Sequence, residues 1–413
     1  MKRPPVLYAL LFASVCALSS GGLAQEPGPS ALRGPQDWNV DSAVSTAVDR
    51  LLANQENYTP DRPVGRVKDL EGWQAKELER LEALRGADGA AEWPYEGVYR
   101  VQGGVIPSGY RVGGTSIVAS ALFEAGAFES EPARASIERA IDFVLESLEE
   151  DPALKAGPKK DYDVRGWGHT YSLEMLLRAL KEPDLSEARQ AQIHASVPTL
   201  IRTFSVNENP GGGWNYANNR DHSPFQTGAT LLALFGAQAQ GFDVDDELIL
   251  RALDALESGR AEDTGAFGYS GTRKEPMHAS AARAAVAELA LERAGRSSPE
   301  ALSRAVAGFF DGWIELEKRK SQQGTHEGPF GIAPYYFFFG HLYAGVAIEH
   351  LPEAAREPFR AELLSVLQRT QEDTGGWNDR IFPRTESVTT AMVVLALLAP
   401  GLEARPRWQP REI

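Results

Sequence analysis

Between Glu131 and Leu148 the apolar residues Ile137, Ile141, Val144, Leu145 and Leu148 fall on one face at helical spacing, with charges opposite. Segments of this amphipathic kind recur at approximately 38–54, 186–204, 244–258, 298–319 and 353–370. One apolar stripe and one charged face describe a helix on the outside of an assembly. Between them lie segments at approximately 113–126, 168–181, 223–240, 278–295, 336–351 and 385–399. These are apolar almost all round, as in Thr230-Leu-Leu-Ala-Leu-Phe235, and a helix with no broad polar face is buried between neighbours. Beta-branched runs are short and Gly, Pro and Asp cluster at the junctions, so both kinds read as helices and not strands.

The pattern therefore predicts an all-α chain with six outer and six inner helices in strict alternation. A lone helical hairpin leaves one face of its inner helix bare, whereas a closed ring of six covers both. The expected architecture is an α/α toroid in one domain over residues 25–413, with the inner helices starting at one mouth of a central cavity. The segment 59–92, with a helix expected at Asp69–Arg85, is an insertion that would partly cover an end.

The junctions carry a second signal. Gly212-x-Trp214, Gly265-x-Phe267, Gly328-x-Phe330 and Gly375-x-Trp377 each follow an outer segment, with looser equivalents at Trp93-Pro-Tyr95 and Arg165-Gly166-Trp167. Glycine permits a sharp turn after a helix, and the aromatic ring can pack over the helix end. Gln371-Glu-Asp-Thr-Gly375-Gly-Trp377 matches the Gln-x-x-x-Gly-x-Trp repeat of squalene and hopene cyclases, and Glu208-x-x-x-Gly212-x-Trp214 is the same pattern with Glu for Gln. On these residues the chain resembles the terpenoid cyclase and protein prenyltransferase superfamily, whose repeat is also called the prenyltransferase and squalene oxidase repeat. The resemblance implies an α/α toroid, and its sharp motifs cover only the second half. In the repeat the Gln side chain is expected to cap exposed backbone carbonyls. That is structural chemistry, and it speaks for fold more than for activity.

Neither chemistry of that superfamily carries over residue by residue. Class II cyclases protonate their substrate from an Asp-x-Asp-Asp run, and Asp243-Val244-Asp245-Asp246 has that spacing. In the family the run opens an inner helix, whereas here it opens an outer one, whose stripe is Ile249, Ala252, Leu253 and Leu256. Asp243 is expected as the helix N-cap, with Asp245, Asp246 and Glu247 favouring the positive end of the helix dipole. No Asp-Asp-x-x-Asp for diphosphate-bound magnesium occurs. Prenyltransferases hold zinc through Asp, Cys and His, but the single cysteine, Cys16, lies in the N-terminal leader.

That leader, residues 1–24, reads as a cleaved export signal. Lys2 and Arg3 precede an apolar stretch, Val6 to Val15, and Gly22-Leu23-Ala24 precedes a plausible cut at Gln25. The stretch is short for a membrane span, and no transmembrane segment is expected in the mature chain. Ala13-Ser14-Val15 fits a lipoprotein acceptor at Cys16 poorly. Export to the periplasm or outside the cell is the expected fate. The mature chain then has no disulfide, no thiolate nucleophile and no Cys-bound metal. Its 40 basic residues stand against 57 acidic ones, because Lys2 and Arg3 are the leader's only charges. That balance disfavours nucleic acid as a partner.

A different constellation sits where the fold would place an active site. His169, His222, His278 and His341 occur at or just before inner-helix starts, and Arg111 and Glu386 hold corresponding positions in the first and sixth units. Equivalent positions in a ring are expected to converge on one mouth. Nearby junctions add Tyr110, Arg165, Tyr171, Asn215, Tyr216, Asn218, Arg220, Tyr269, Tyr335, Tyr336, Asn378 and Asp379. His169, His222, His278 and His341 with Tyr171 and Arg165 are the candidate catalytic set, and the others are candidate ligand contacts. A polar and aromatic mouth above an apolar barrel suits a small polar or carbohydrate-like ligand. His, Tyr and Arg can also abstract a proton beside a carboxylate, as polysaccharide lyases require. Capping is the competing reading for each histidine, and inner-helix packing for the run Tyr335 to Phe339. No His-Glu-x-x-His, phosphate-loop or Gly-x-Ser-x-Gly motif occurs, so neither metal nor cofactor is expected. Three functions stay open: binding or degradation of a carbohydrate-like ligand, a divergent terpenoid cyclase, and a non-catalytic scaffold. The cyclase reading requires a largely apolar cavity with a buried acid aimed at it. Oligomeric state is not legible.

Overall fold

A computed structural model describes residues 38–57, 90–97, 106–157, 164–216, 220–271 and 275–411. The leader at 1–24, the expected helix at 69–85 with most of the 59–92 insertion, and Asn218 lie outside the described residues. Contacts divide the chain between Asp37 and Trp38, and the described residues all belong to the unit that begins at Trp38.

The outer helices are α1 (Val40–Ala53), α3 (Glu131–Glu150), α5 (Glu187–Val206), α7 (Asp246–Ser258), α9 (Pro299–Asp311) and α12 (Glu353–Thr370). The inner helices are α2 (Ser108–Glu124), α4 (Arg165–Ala179), α6 (Pro224–Ala239), α8 (Met277–Arg293), α11 (Tyr336–Ile348) and α13 (Thr385–Leu398). A short α10 (Trp313–Glu317) follows α9, because the chain bends at Gly312, where an added Cβ would sit 2.6 Å from the Cβ of Ala281. The expected outer segment 298–319 is thus two helices. Among the described residues the only sheet is the pairing of β1 (Glu56–Asn57) with β2 (Ala91–Glu92).

Each inner helix packs on the next, α2 on α4, α4 on α6, α6 on α8, α8 on α11, α11 on α13, and α13 back on α2. The ring closes, and the fold is an α/α toroid. In α8 every residue from Ala279 to Arg293 is buried, as a helix flanked on all sides requires. Small residues set the spacing: a Cβ at Gly228 of α6 would lie 2.9 Å from Val286 O of α8. The outer helices α3, α5, α7, α9 and α12 lie on the inner helices that precede them, while α1 lies on the last, α13. The Trp38 indole donates to Gln371 Oε1 at 2.7 Å and Arg50 of α1 pairs with Glu386 of α13 at 2.8 Å, so the first outer helix is tied to the last inner one.

Three junctions share one pair of bonds. The indole N–H groups of Trp93, Trp214 and Trp377 donate to Leu51 O, Phe204 O and Leu367 O, at 2.8, 2.9 and 2.9 Å. Each thereby satisfies a carbonyl in the last turn of an outer helix. The backbone N–H of the same three residues donates to Thr115, Thr227 and Thr390 Oγ1 on the following inner helix. Phe267 keeps only the second bond, to Ser280 Oγ at 2.8 Å. The carbonyl cap expected of Gln371 is therefore made by tryptophan, and Gln371 Nε2 instead donates to Gly375 O inside the turn, at 2.8 Å. Gly375 and Gly212 have φ of +82° and +88°, the left-handed conformation such a turn needs.

The Asp243 run opens α7 as expected, but the roles are distributed differently. Asp245, not Asp243, is the N-cap and accepts from Glu247 N at 3.0 Å. Asp243 and Asp246 instead hold Arg411 of the C-terminal tail, with Asp243 Oδ1 at 2.7 Å and Asp246 Oδ2 accepting from Arg411 N at 2.8 Å.

Candidate functional site

The ring has a small aromatic cavity at the inner-helix starts and a larger one at the opposite end. The first is walled by Tyr110, Trp167 and Phe225 from the first turns of α2, α4 and α6, and by Tyr335 and Phe339 at α11. Met392 of α13 and the junction residues Tyr95, Tyr216 and Asp379 complete it. Tyr95, Tyr110 and Trp167 meet at ring-centre distances of 5.4 to 5.7 Å, and Phe225 meets Tyr336 and Phe339 edge-on at 5.4 Å. The space measures about 30 Å³, enough for about two waters.

On its rim the hydroxyls of Tyr216 and Tyr269 are 2.5 Å apart, and those of Tyr216 and Tyr335 3.3 Å. Tyr335 O–H reaches His326 Nε2 at 3.3 Å, while His326 Nδ1–H donates to Gly331 O at 2.9 Å. Below, Tyr171 stacks edge-on against Trp167 at 5.0 Å, and its hydroxyl meets that of Tyr343 at 3.3 Å. Burial raises the hydroxyl pKa of Tyr171 and Tyr335 well above the usual range, so both stay protonated.

Asp379 is the one acidic residue lining this cavity among the described residues. Its backbone is fixed from both sides. Asn378 Oδ1 accepts from Arg380 N at 2.9 Å, Asn378 Nδ2 donates to Phe382 O at 3.0 Å, and Asp379 O accepts from Ser321 N at 2.8 Å. The side chain has no such support. The residue is 1% exposed, and no other residue hydrogen-bonds to either carboxylate oxygen. Burial pushes its pKa up to about 7, against the pull of Arg380 and Lys320. Among the described residues two that are not glycine adopt left-handed backbone, Ser321 (φ +58°) and Val164 (φ +56°). One holds the Asp379 carbonyl and the other accepts from Trp167 N at 3.1 Å. Such strain costs about 1–3 kcal/mol per residue and clusters at functional sites.

Of the residues expected at the mouth, Tyr110, Tyr216, Tyr335 and Asp379 line it, with Tyr269, Tyr336 and Tyr171 in contact with its walls. The four histidines do not face one another. His169 sits 2.8 Å from Leu154 O and packs on Phe204 of α5. His222 is buried, its Nε2 unpartnered and within 3.2 Å of where a Cβ on Gly259 would lie, at the end of α7. His278 is exposed beside Phe330, ring centres 5.4 Å apart. His341 donates from Nδ1 to Phe337 O at 2.7 Å and accepts the Trp313 indole N–H at 2.8 Å. Burial lowers its pKa to about 4, so it is a neutral link between layers.

The equivalent charged positions also turn outward. Arg111 pairs with Glu92 and lies over the Phe143 ring of α3, and Glu386 accepts from Arg50 of α1 and from Thr374. Arg165 donates to Lys155 O at 2.7 Å, Asn215 to Asp221 O at 3.0 Å, and Arg220 is exposed. Asn378 shapes the Asp379 turn from behind. Sequence reasoning passed over Tyr95, Trp167, Phe225, Phe339, Met392 and His326. The available signal was an aromatic residue at or beside an inner-helix start: Tyr110, Trp167, Phe225 and Tyr335.

No family model matches the chain, and no curated protein matches it in sequence. Solved structures do. An inactive variant of the α-1,6-mannanase GH76A of Salegentibacter sp. HEL1_6, in complex with α-1,6-mannotriose, is similar over 88% of this chain and 99% of that one, at 8% identity and a TM-score of 0.51. The Lin0763 protein of Listeria innocua is similar over 88% and 97%, at 10% identity and 0.51. The type II terpene cyclase MstE from Scytonema is similar over 88% and 98%, at 15% identity and 0.48. At these identities the likeness is one of fold, and the neighbours of this toroid include both a terpene cyclase and a carbohydrate-active enzyme.

Proposed function

We propose that the aromatic mouth is an acid–base site that takes the end of a carbohydrate-like ligand, with Asp379 as its proton donor. The observation that carries this reading is the Asp379 carboxyl, buried, without a hydrogen bond from any other residue, and lining the cavity among aromatic rings. A carboxyl with a pKa near 7 is about half protonated at neutral pH and in that form can pass its proton to a bridging or leaving oxygen, an effect worth about 10²–10⁴-fold in rate. Tyr110 and Trp167 offer ring faces to a sugar, and the Tyr216–Tyr269 and Tyr335–His326 hydroxyl contacts offer partners to its hydroxyls. Space for two waters admits one terminal group, so the rest of the ligand lies over the rim. His169 and His341 are assigned to holding the layers together. Export through residues 1–24 would deliver the chain to a compartment where glycans are met, which cell fractionation tests.

A specific observation supports a second reading. Apart from Asp379 the lining is aromatic or methionine, and glycoside hydrolysis ordinarily uses two carboxylates. One protonated acid among ring faces is what protonation of an unsaturated polyprenoid end requires. The test incubates the purified chain and Asp379→Asn with a panel of neutral and acidic oligosaccharides and, separately, with polyprenoids. Oligosaccharide turnover that falls at least 100-fold in Asp379→Asn while binding persists supports the first reading. Cyclised polyprenoid products overturn it in favour of the second. Equal activity of the two chains on either substrate overturns both.

A further inference from the structure

The larger cavity, about 340 Å³, lies on the axis at the opposite end, where α2, α4, α6, α11 and α13 finish. That is ligand-sized by ordinary standards. One side is apolar, formed by Ile117, Leu177, Leu232, Leu342, Val346 and Leu395. The helix C-termini opening on it carry partial negative charge. Glu174 of α4, a lining residue, is 6% exposed and stays ionised, since Arg405 and Arg178 offset the burial that would raise its pKa.

Arg178, which lies on the same helix, is shared with Glu124. Arg405 arrives from outside the ring, on the C-terminal tail. Its guanidinium forks onto Glu174, Nη1 to Oε1 at 3.1 Å and Nη2 to Oε2 at 3.2 Å. The tail is fastened by Trp408, buried and stacked on Phe235 with ring centres 6.1 Å apart, and by ion pairs of Arg407 and Arg411 whose arginines are half exposed or more. Exposed pairs of that kind hold weakly. Glu349 and Glu403 also line the space, but Arg360 and Lys181 answer them. His350 is neutral, its pKa lowered to about 3 by burial and the surrounding arginines, and accepts from Arg405 N at 3.2 Å. Glu174 is therefore the carboxylate on this axis whose second partner is replaceable.

We propose that this cavity is a second ligand site, for a small molecule with a guanidinium or amine head on an apolar body, and that Arg405 is its built-in occupant. An incoming head group replaces the Arg405 fork on Glu174, and its body lies against the leucines. The inference is independent of the mouth and of Asp379.

The experiment titrates n-butylguanidinium, with n-butyrate as the anionic control, into the full chain, Arg405→Ala, and Arg405→Ala with Glu174→Gln, by calorimetry. Arg405→Ala is expected to bind butylguanidinium at least tenfold more tightly than the full chain, the double variant to lose that binding, and butyrate to bind none of them. Equal affinity for the full chain and Arg405→Ala, or equal binding of butyrate, overturns the proposal. A second measurement needs no variant. Saturating butylguanidinium should raise amide exchange at Arg405 and Trp408, whose N–H groups bond to His350 Nε2 and Arg293 O. Unchanged exchange at both, with the cavity saturated, also overturns it.

Discussion

Replacing Asp379 by Asn turns a buried titrating carboxyl into a neutral group of the same shape. The folded carboxyl titrates near pH 7, whereas the ordinary value is 3.8. At about 1.4 kcal/mol per pH unit between the two, ionising Asp379 costs the folded state about 4 kcal/mol. The sign follows from proton counting. Between pH 3.8 and 7 the folded chain holds a proton that the unfolded chain has released, so the contribution is complete below 3.8 and is lost as pH rises through 7. Asn carries no such proton. The two chains should be nearly equal in stability at pH 4, and Asp379→Asn should be the more stable at pH 8, by at most about 4 kcal/mol. Urea unfolding of both chains at pH 4, 6 and 8 gives the difference directly, because every other titrating group is common to the two. A difference that does not change with pH, or an Asn variant that is the less stable at pH 8, refutes the reasoning. A gain at pH 8 combined with lost activity would mark Asp379 as a residue kept at the expense of stability, as functional sites often are.

Trp377→Phe removes the indole bond to Leu367 O and part of a fully buried ring, and should cost about 2–4 kcal/mol, read as a lowered thermal midpoint. His341→Gln should remove an opposite pH dependence. His341 titrates near 4 when folded against 6.5 ordinarily, so the wild type loses about 3 kcal/mol as pH falls through that window, and the variant should lack this slope in the same urea series. Asp245→Asn should leave stability unchanged, since Asn caps as well as Asp, while Asp246→Asn should cost about 1 kcal/mol or less by weakening the hold on Arg411; chemical denaturation separates the two.

The layers were legible because burial on one side or on all sides writes different patterns. Thr385–Leu398 has no polar face, and it lies between α2 and α11 with α1 behind it. Closure of the ring was only inferred, since Trp38 and Gln371 meet across 333 residues and no local pattern records that contact. The site was half legible. Tyr110 and Asp379 were named as mouth residues because they stand in the junctions beside inner-helix starts, and both line the cavity. A place beside a helix start does not set direction, however. Residues two apart on a helix point about 200° away from each other. Trp167 and Phe339 face the cavity, so His169 and His341 two positions later face the outer layer. The meaning of Asp379 lay beyond any local reading, because its position depends on Ser321 and its lack of partners on everything packed around it.

Directionality of the inner helices connects the two ends of the axis. All six run the same way, so their N–H ends gather at the mouth and carbonyl ends at the opposite face. Partial positive charge at helix starts favours anions, within roughly the first turn. Tyr110, Trp167 and Phe225 occupy those first turns, and their rings line the cavity together with Asp379. Burial outweighs the pull of Arg380 and Lys320, and the carboxyl titrates near neutral pH. Once the proton is given up, the carboxylate left behind faces converging helix starts, which lower the cost of the charged form. At the far end the same polarity works in reverse. Glu174 adds a carboxylate where helix ends are already negative, and the tail supplies Arg405 to answer it. A toroid of parallel inner helices therefore has one end suited to developing negative charge and another suited to a bound cation, and this chain places its unpartnered acid at the first and its replaceable guanidinium at the second.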